Sequence, residues 1–264
     1  EFRRVLFRSQ VNSHKADSWL LVEYNSCSKC GLELLPFLNK PFDSLKAEHF
    51  VHKLDRQMLD ALKKIPGIDS VLRGLLHHSL ELSMRLHHQG SFLQVSKKQF
   101  KSLYQKLEKA SEILGLAVPD LFLVQDPRVN AYTFGVENCS IAITSGALDI
   151  LSDEEILCVL AHELGHIKAH HVLYKTASRI LATVANSIAQ KTLGLGGLML
   201  YPIQVALLRW DKASELSSDR ASLLVVKDPK IVLTTLMKLA GGASMHEKEL
   251  SLEAFIKQAE SYDK

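Results

Sequence analysis

The chain has 264 residues, of which 47% are hydrophobic and 23% are charged, and its formal net charge is +3. This length suits one large domain or two small ones with a sizeable core, while the mild charge indicates neither nucleic-acid binding nor a polybasic membrane patch. Four cysteines are too few for a disulfide scaffold and favour a reducing compartment.

Residues 1–49 are predicted to form an N-terminal arm. Its first nine residues resemble a library adapter read through as protein, because Glu-Phe and Arg-Ser are dipeptides that two common restriction sites encode. Cys27 and Cys30 form one Cys-x-x-Cys pair, which is typical of half a zinc ribbon. A structural zinc site takes four ligands, and the sequence has no second such pair. A metal knuckle completed by residues upstream and a metal-free arm therefore both stay open.

Apolar residues at helical spacing predict three helices in the next part of the chain. They cover residues 54–65, 70–88 and 96–114. Pro66-Gly67 ends the first helix, Ser96 is predicted to cap the third, and Gly115 ends it. Adjacent histidines point about 100° apart on a helix and chelate poorly. Two histidine pairs are therefore interpreted as a solvated surface: His77-His78 and His87-His88.

A small sheet is predicted between these helices and the next one. Residues 119–124 and 138–144 have strand composition, and Asn130-Ala131-Tyr132 begins the segment between them. If that segment is an edge strand, its unpaired backbone N–H and C=O groups can pair with an extended peptide. An ordinary hairpin fits the same residues.

A long helix is predicted from Ser152 to beyond Tyr174. Ser152 has the position of an N-cap, and Glu155 follows three residues later, which is the spacing of a capping box. Acidic residues also fill the first turn, where the helix dipole favours negative charge.

This helix carries the motif His162-Glu163-Leu164-Gly165-His166. His162 and His166 are four residues apart, so they share one helical face and can bind one metal ion. Glu163 is rotated about 100° from His162 and is placed to reach a water on that metal as a general base. Catalytic zinc takes three protein ligands and a water, so one ligand must come from elsewhere. The alternative, histidines used for packing or capping, is disfavoured by the apolar surroundings of the motif.

The segment from Ile180 to Leu208 is predominantly apolar. A membrane-spanning helix needs about 20 such residues, and Gln190-Lys191 interrupts the run. We therefore expect residues 180–208 to form a hairpin that lies against a membrane or re-enters it. A hairpin buried in the protein core is the alternative.

Glu215 is the best candidate for the third ligand, because Asp219 follows it by four residues on the same helical face. A histidine on zinc usually donates its other N–H to a carboxylate, which orients the ring, and Asp219 suits that role. Without the histidine pair, Glu215 and Asp219 would be interpreted as a solvated acidic face. Asp228-Pro229 ends this helix.

Two further helices are predicted after that break. One covers residues 230–239 and ends at Gly241-Gly242, and the other is an amphipathic helix over residues 250–262.

These features together resemble a known family, the zinc metallopeptidases that include bacterial HtpX and the CAAX prenyl proteases, in the gluzincin group. The likeness spans residues 50–262 and is greatest to bacterial and plastid members with a soluble catalytic head. The residues that carry it are His162-Glu163-Leu164-Gly165-His166, Glu215 with Asp219, Asn130-Ala131-Tyr132, Asp228-Pro229 and Leu236-Met237-Lys238-Leu239-Ala240-Gly241-Gly242.

The resemblance implies an α+β fold, mainly α, with a small sheet and an active-site helix, in a metallopeptidase domain over residues 50–264. It implies one zinc ion bound by His162, His166 and Glu215, with Glu163 as the base that activates a water. The family's usual His-Pro segment with a downstream Arg is absent, so the domain is expected to be truncated at its C-terminus.

The resemblance also implies an edge strand at Asn130-Ala131 that pairs with the substrate. The expected function is zinc-dependent hydrolysis of peptide bonds in unfolded or extended polypeptides, with protein quality control as one role. The alternatives are prenyl-protein processing and a non-catalytic metal-binding scaffold. The expected location is a membrane, with the catalytic part in a reducing compartment, either the cytoplasm or a plastid.

Overall fold

The computed structural model describes residues 45–65, 68, 78–135, 138–191, 195–241 and 244–261. The predictions for most of the N-terminal arm, including Cys27 and Cys30, lie outside the described residues, as does the first part of the predicted helix over residues 70–88. Side chains are described for only part of this set, and those of residues 182–200 are not included.

Helices dominate the described part of the chain, which confirms the predicted α+β, mainly α class. Helices α1 to α9 cover Lys53–Lys63, His78–Ser91, Lys101–Leu114, Ser145–Ile150, Asp153–Lys168, Val172–Lys191, Leu195–Val226, Pro229–Gly241 and Leu252–Glu260. Strands β1 to β4 cover Leu93–Val95, Asp120–Val124, Ala131–Phe134 and Ser140–Thr144. Short 3-10 helices cover Ala47–His49 and Ser244–Glu249.

The four strands form one mixed sheet in the order β1-β2-β4-β3. β2 and β4 are parallel, while β1 and β3 run antiparallel to their neighbours. Strand β3 therefore lies at an edge of the sheet in the described structure, as the family resemblance implies for Asn130-Ala131, and it also forms an antiparallel hairpin with β4. Strand β1 was not predicted, because three residues are too few to show the alternation that marks a strand.

The main hydrophobic core lies between the sheet and helices α3, α5 and α7. Helix α5 is its centre, since every residue from Glu155 to His166 is buried. Its start is as predicted, because the Ser152 hydroxyl accepts from the Glu155 N–H at 3.3 Å and the Glu155 carboxylate accepts from the Ser152 N–H at 2.8 Å. A second cluster joins α1, α6 and α7 around Leu62, Tyr174 and the fully buried Trp210.

Helix α5 ends at Lys168, so the prediction of one helix running past Tyr174 is wrong. The chain turns at His170, whose φ of 57° is in the left-handed region. The His170 N–H donates to the Ile167 carbonyl at 3.1 Å and the His171 N–H donates to the His166 carbonyl at 2.9 Å. This is the Schellman pattern, with a histidine at the position that glycine usually occupies. The turn returns His171 to the side of His166.

Two other local predictions are wrong. Ser96 does not cap α3, because its hydroxyl accepts from the N–H groups of Lys98 and Gln99 and stabilises a separate turn before the helix. His88 is not part of a solvated surface, since it is buried and stacks on Phe134 with ring centroids 3.7 Å apart. The aromatic residues on the outer face of the sheet cover one side of α2, which periodicity alone does not reveal.

The apolar segment 180–208 is divided between α6 and the first part of α7. In the part of the chain that the structure describes, no helix combines the length and the apolar character needed to cross a membrane. Leu207 is fully buried in the second cluster, while Tyr201 and Leu208 are exposed.

Candidate metal centre

Helices α5 and α7 bring three potential ligands to one point. His162 Nε2 lies 3.1 Å from Glu215 Oε2, and His166 Nε2 lies 3.4 Å from Glu215 Oε1. One ligand atom from each of the three side chains lies within 4.8 Å of the other two, and all three residues are buried. Two helices far apart in the sequence therefore build a compact group that could hold a metal ion.

The two helices approach closely because small residues line their contact. Gly165 faces Ser218 and Ala221 of α7. A β-carbon at Gly165 would lie 2.8 Å from Ala221 Cβ and 3.1 Å from Ser218 Cα, closer than packed atoms normally come. Packing therefore requires a glycine at this position of the motif, and the close approach of the helices sets the distance between the histidine pair and Glu215.

Asp219 contacts the outer nitrogen of the first histidine. Its Oδ1 lies 2.9 Å from His162 Nδ1, which leaves Nε2 directed at Glu215. A carboxylate in this position keeps the proton on Nδ1 and orients the ring. Burial alone would lower the pKa of His162, but the carboxylates of Asp219 and Glu215 outweigh it and raise that pKa to about 9.

The second histidine has a different set of partners. His166 Nδ1 lies 3.0 Å from His171 Nδ1 and 2.9 Å from Ser218 Oγ. His171 Nε2 lies in turn 3.0 Å from Asp55 Oδ2 on α1. Sequence reasoning missed His171 and Asp55, because the first depends on the turn at His170 and the second lies on a helix with no motif.

Lys175 of α6 adds a positive charge beside the candidate ligands. Its Nζ contacts Glu215 Oε1 and lies 2.7 Å from Asp211 Oδ1. Burial alone would raise the pKa of Glu215, but the Lys175 ammonium and both imidazoles hold it well below its usual value. Burial, together with Lys175, also holds the pKa of His166 well below its usual value. Glu215 is thus an anion and His166 is neutral, which are the protonation states that metal ligands need.

Glu163 lies on the side of α5 that faces the sheet. Its Oε2 accepts a hydrogen bond from Thr133 Oγ1 at 2.6 Å, and both residues are buried. The Glu163 carboxylate thus faces β3 and is not one of the three convergent ligands, although it directly follows His162 along α5. The sequence analysis did not predict Thr133 as a site residue. Thr133 lies two residues after Ala131 in β3, so the two side chains lie on the same face of the sheet.

Some backbone groups in and next to β3, the predicted substrate strand, already make hydrogen bonds within the protein. Asn130 precedes β3 and pairs with Thr144, donating to its hydroxyl at 3.0 Å and accepting from its N–H at 3.0 Å. Tyr132 points to the outer face of the sheet, where its hydroxyl lies 3.3 Å from His88 Nε2. The Thr133 carbonyl accepts from Arg179 at 3.2 Å. Any contact between Tyr132 and a peptide at the site would thus involve its backbone.

The sequence of the chain was compared with known protein families. A model described as Peptidase family M48 matches residues 97–259. The chain belongs to peptidase family M48. The match contains the histidine pair, Glu163, Glu215 and Asp219, and it confirms the resemblance to HtpX-type metallopeptidases. Asp55 of the candidate metal centre lies outside the matched residues.

Relatives in the M48 family come from plastids and bacteria. The chain is 38% identical over 225 residues to "Plastoglobule-localized metallopeptidase 48, chloroplastic" of Arabidopsis thaliana, covering 84% of this chain and 64% of the relative. It is 39% identical over 97 residues to "Protease HtpX homolog" of Sulfurovum sp., covering 36% of this chain and 34% of the relative. A "Protease HtpX homolog" of Polynucleobacter necessarius is 28% identical over 166 residues, covering 55% of this chain and 58% of the relative. The chain thus spans less than two thirds of these M48 relatives, and no solved structure matched it.

Proposed function

We propose that this chain is a zinc-dependent metalloendopeptidase that uses Glu163 as its general base. The main support is the convergence of His162, His166 and Glu215, with Glu163 beside them and Asp219 behind the first histidine. The names of the plastid and bacterial relatives, a metallopeptidase and proteases, favour the same activity.

The donor set suits zinc. Two imidazole nitrogens and one carboxylate oxygen are a ligand set that catalytic zinc sites use, with one position left for water. Softer metals prefer thiolates and magnesium prefers oxygen ligands. The buried site and the oriented imidazoles fit this choice, because ligands whose outer groups are hydrogen-bonded need little rearrangement on binding.

Glu163 is proposed to move the protons of the reaction. Bound zinc would supply a Lewis acid that polarises the peptide carbonyl and acidifies a water. Glu163 would take a proton from the attacking water and return it to the leaving amine. The Thr133 hydroxyl, 2.6 Å from Glu163 Oε2, would keep the carboxylate oriented between these two steps.

Substrates are proposed to bind in extended form along β3. This strand is an edge of the sheet in the described structure, and its Thr133 side chain bonds to Glu163. Main-chain pairing of a peptide with this strand would be independent of side-chain sequence. Unfolded or extended polypeptides are therefore the expected substrate class, which suits a role in protein quality control.

Membrane association through residues 180–208, with the catalytic part in a plastid or cytoplasm, is also proposed. The exposed side chains of Tyr201 and Leu208 support the contact with a membrane. The name of the Arabidopsis thaliana relative, which is plastoglobule-localized and chloroplastic, supports a plastid. Carbonate extraction of membranes from cells that express the whole chain would test this location. Recovery of all the protein in the soluble fraction before extraction would contradict it.

The function is tested by metal content and proteolysis. Elemental analysis is expected to give one zinc per chain, and casein digestion is expected to stop with chelator and resume with added zinc. Glu163→Gln should keep zinc but lose about 10²- to 10⁴-fold in rate, the usual worth of general acid–base catalysis. Glu215→Ala should lose zinc, because two imidazoles alone form a weaker site.

Glu154→Gln is the matched control, since Glu154 lies on the same helix but is exposed. It should keep both zinc and activity. Full proteolysis by Glu163→Gln would overturn the assigned base. Zinc binding without proteolysis of casein by the unaltered protein would favour a scaffold, and cleavage of prenylated peptides alone would favour prenyl-protein processing.

A further inference from the structure

Asp55 of α1 is a buried carboxylate with three hydrogen-bonded partners. It is 1% exposed, and its oxygens lie near Trp210 Nε1 at 3.0 Å, His171 Nε2 at 3.0 Å and the Ser217 hydroxyl. Burying a carboxylate costs several kcal/mol unless it is well paired. An apolar residue would fill this position without that cost in free energy, so the arrangement indicates a role beyond packing.

The contacts of Asp55 lead to the candidate metal centre. Asp55 can only accept hydrogen bonds when it is ionised, so His171 Nε2 carries the proton that it shares with this carboxylate. In the neutral form of His171, Nδ1 is then an acceptor, and it lies 3.0 Å from His166 Nδ1. His166 Nδ1 must therefore donate, which leaves His166 Nε2 with a free lone pair beside Glu215. This is the tautomer that a metal ligand needs.

The two imidazoles of the motif thus reach a carboxylate in different ways. His162 contacts Asp219 directly at 2.9 Å, whereas His166 reaches Asp55 through His171. Ser218 Oγ, 2.9 Å from His166 Nδ1, can accept the same proton but carries no charge. Among the described contacts of His166 Nδ1, the path through His171 is the one that leads to an anionic group, and such a partner raises the basicity of a coordinating histidine.

We propose that Asp55 and His171 are positioning residues that fix the tautomer and orientation of His166, and that they thereby set the metal affinity of the site. This inference rests on the proposed zinc site. It makes α1, which precedes the residues matched by the family model, part of the metal centre.

The proposal is tested by zinc affinity, measured by competition with a chromophoric chelator well below the unfolding temperature. Asp55→Asn and His171→Phe should each weaken zinc binding by about 10- to 100-fold, the usual effect of removing an outer partner of a ligand. The double variant should bind no more weakly than His171→Phe, because Asp55 acts on His166 only through His171. Cobalt-substituted protein should show an altered visible spectrum in the same variants.

Two controls separate positioning from stability. Ser217→Ala removes another hydrogen bond to the Asp55 carboxylate, and His170→Asn changes the neighbouring exposed histidine while keeping a residue that tolerates a positive φ. Both should keep zinc affinity within about threefold. If Ser217→Ala weakens zinc binding as much as Asp55→Asn does, the effect is structural and the proposal is wrong.

The failure of this proposal differs from the failure of the proposed function. If the unaltered protein binds zinc and digests casein while Asp55→Asn and His171→Phe bind zinc equally tightly, only the positioning role is wrong. If the unaltered protein binds no zinc, both proposals are wrong. If His171→Phe does not fold, Asp55→Asn with its cobalt spectrum decides the question.

Discussion

His162 and His166 show how neighbours give identical side chains different properties. They lie on one face of α5, yet the pKa of His162 is raised to about 9, against the effect of burial, by Asp219 and Glu215. Burial and the Lys175 ammonium instead hold the pKa of His166 well below its usual value. The helical spacing makes both rings available, while the residues around them decide which ring takes up a second proton and becomes positively charged.

Thr133 provides a prediction at the same scale. Thr133→Val removes the hydroxyl that donates to Glu163 Oε2 at 2.6 Å while keeping the shape of the side chain. Because a hydrogen bond to a charged group is worth about 1.5–3 kcal/mol, we expect kcat on casein to fall at least tenfold. Zinc content should not change. Thr133→Ser keeps the hydroxyl and should retain most of the activity; equal losses in both variants would exclude an orienting role.

The contact between α5 and α7 determines the geometry of the site at the level of elements. The histidine pair lies on one helix and Glu215 on the other, so their separation depends on the close approach at Gly165. A helix that carries the same motif but packs at a normal distance would leave the carboxylate too far from the imidazoles.

Gly165→Ala should therefore weaken metal binding even though alanine favours helices. The added β-carbon would lie 2.8 Å from Ala221 Cβ, so the helices must separate. We expect zinc affinity to fall at least tenfold and stability to fall by about 1–3 kcal/mol, as in other overpacked cores. Gly90→Ala in α2 is the control, since its new β-carbon meets no atom within 4 Å, and it should be neutral or stabilising. Unchanged zinc affinity in Gly165→Ala would show that the contact is adaptable.

Glu155 links the start of α5 to α8. Its carboxylate accepts a hydrogen bond from the Ser152 N–H at 2.8 Å and lies 2.9 Å from Lys238 Nζ. Burial alone would raise the pKa of Glu155, but the Ser152 N–H and the Lys238 ammonium outweigh it and lower that pKa. The folded protein therefore binds this proton more weakly than the unfolded chain does, so the stabilisation is present above about pH 4.3 and is lost as the pH falls through the lowered value.

Glu155→Gln should accordingly lower the free energy of unfolding at pH 7 by about 1–2 kcal/mol. The difference from the unaltered protein should shrink as the pH falls below about 4. Urea unfolding over a pH series measures both effects. Glu154→Gln, on the exposed neighbouring residue, should show neither; a pH-independent loss in Glu155→Gln would contradict the electrostatic explanation.

The molecule as a whole gathers elements from distant parts of the chain around one buried site. Asp55 comes from α1, Thr133 from the sheet, the histidine pair from α5, Lys175 from α6 and Glu215 from α7. Ligand binding at such a junction stabilises the packing of all these elements against one another.

Zinc should therefore raise the unfolding temperature of the whole domain in a single transition. A ligand that binds only the folded state at 100 times its Kd stabilises it by about 2.7 kcal/mol. Differential scanning calorimetry of the metal-free protein with and without excess zinc measures the shift. Glu215→Ala should show a much smaller shift, and a shift of the same size in that variant would place the stabilising zinc elsewhere.

The sequence alone determined the features that depend on residues within a few positions of one another. The start of α5 at Ser152, the chelating spacing of His162 and His166, and the break at Asp228-Pro229 are local properties, so periodicity and capping rules predicted them. The Glu215 and Asp219 pair could also be proposed in this way, because both lie on one helical face.

Only the tertiary structure decided which distant residues complete the site. The turn at His170 ends α5 early and directs His171 toward His166, and the packing of α1 on α7 then places Asp55 against His171. Neither contact has a local sequence signal, since each depends on how helices with unrelated sequences pack together. Packing of whole elements, and not spacing along the chain, therefore sets the environment of the second histidine.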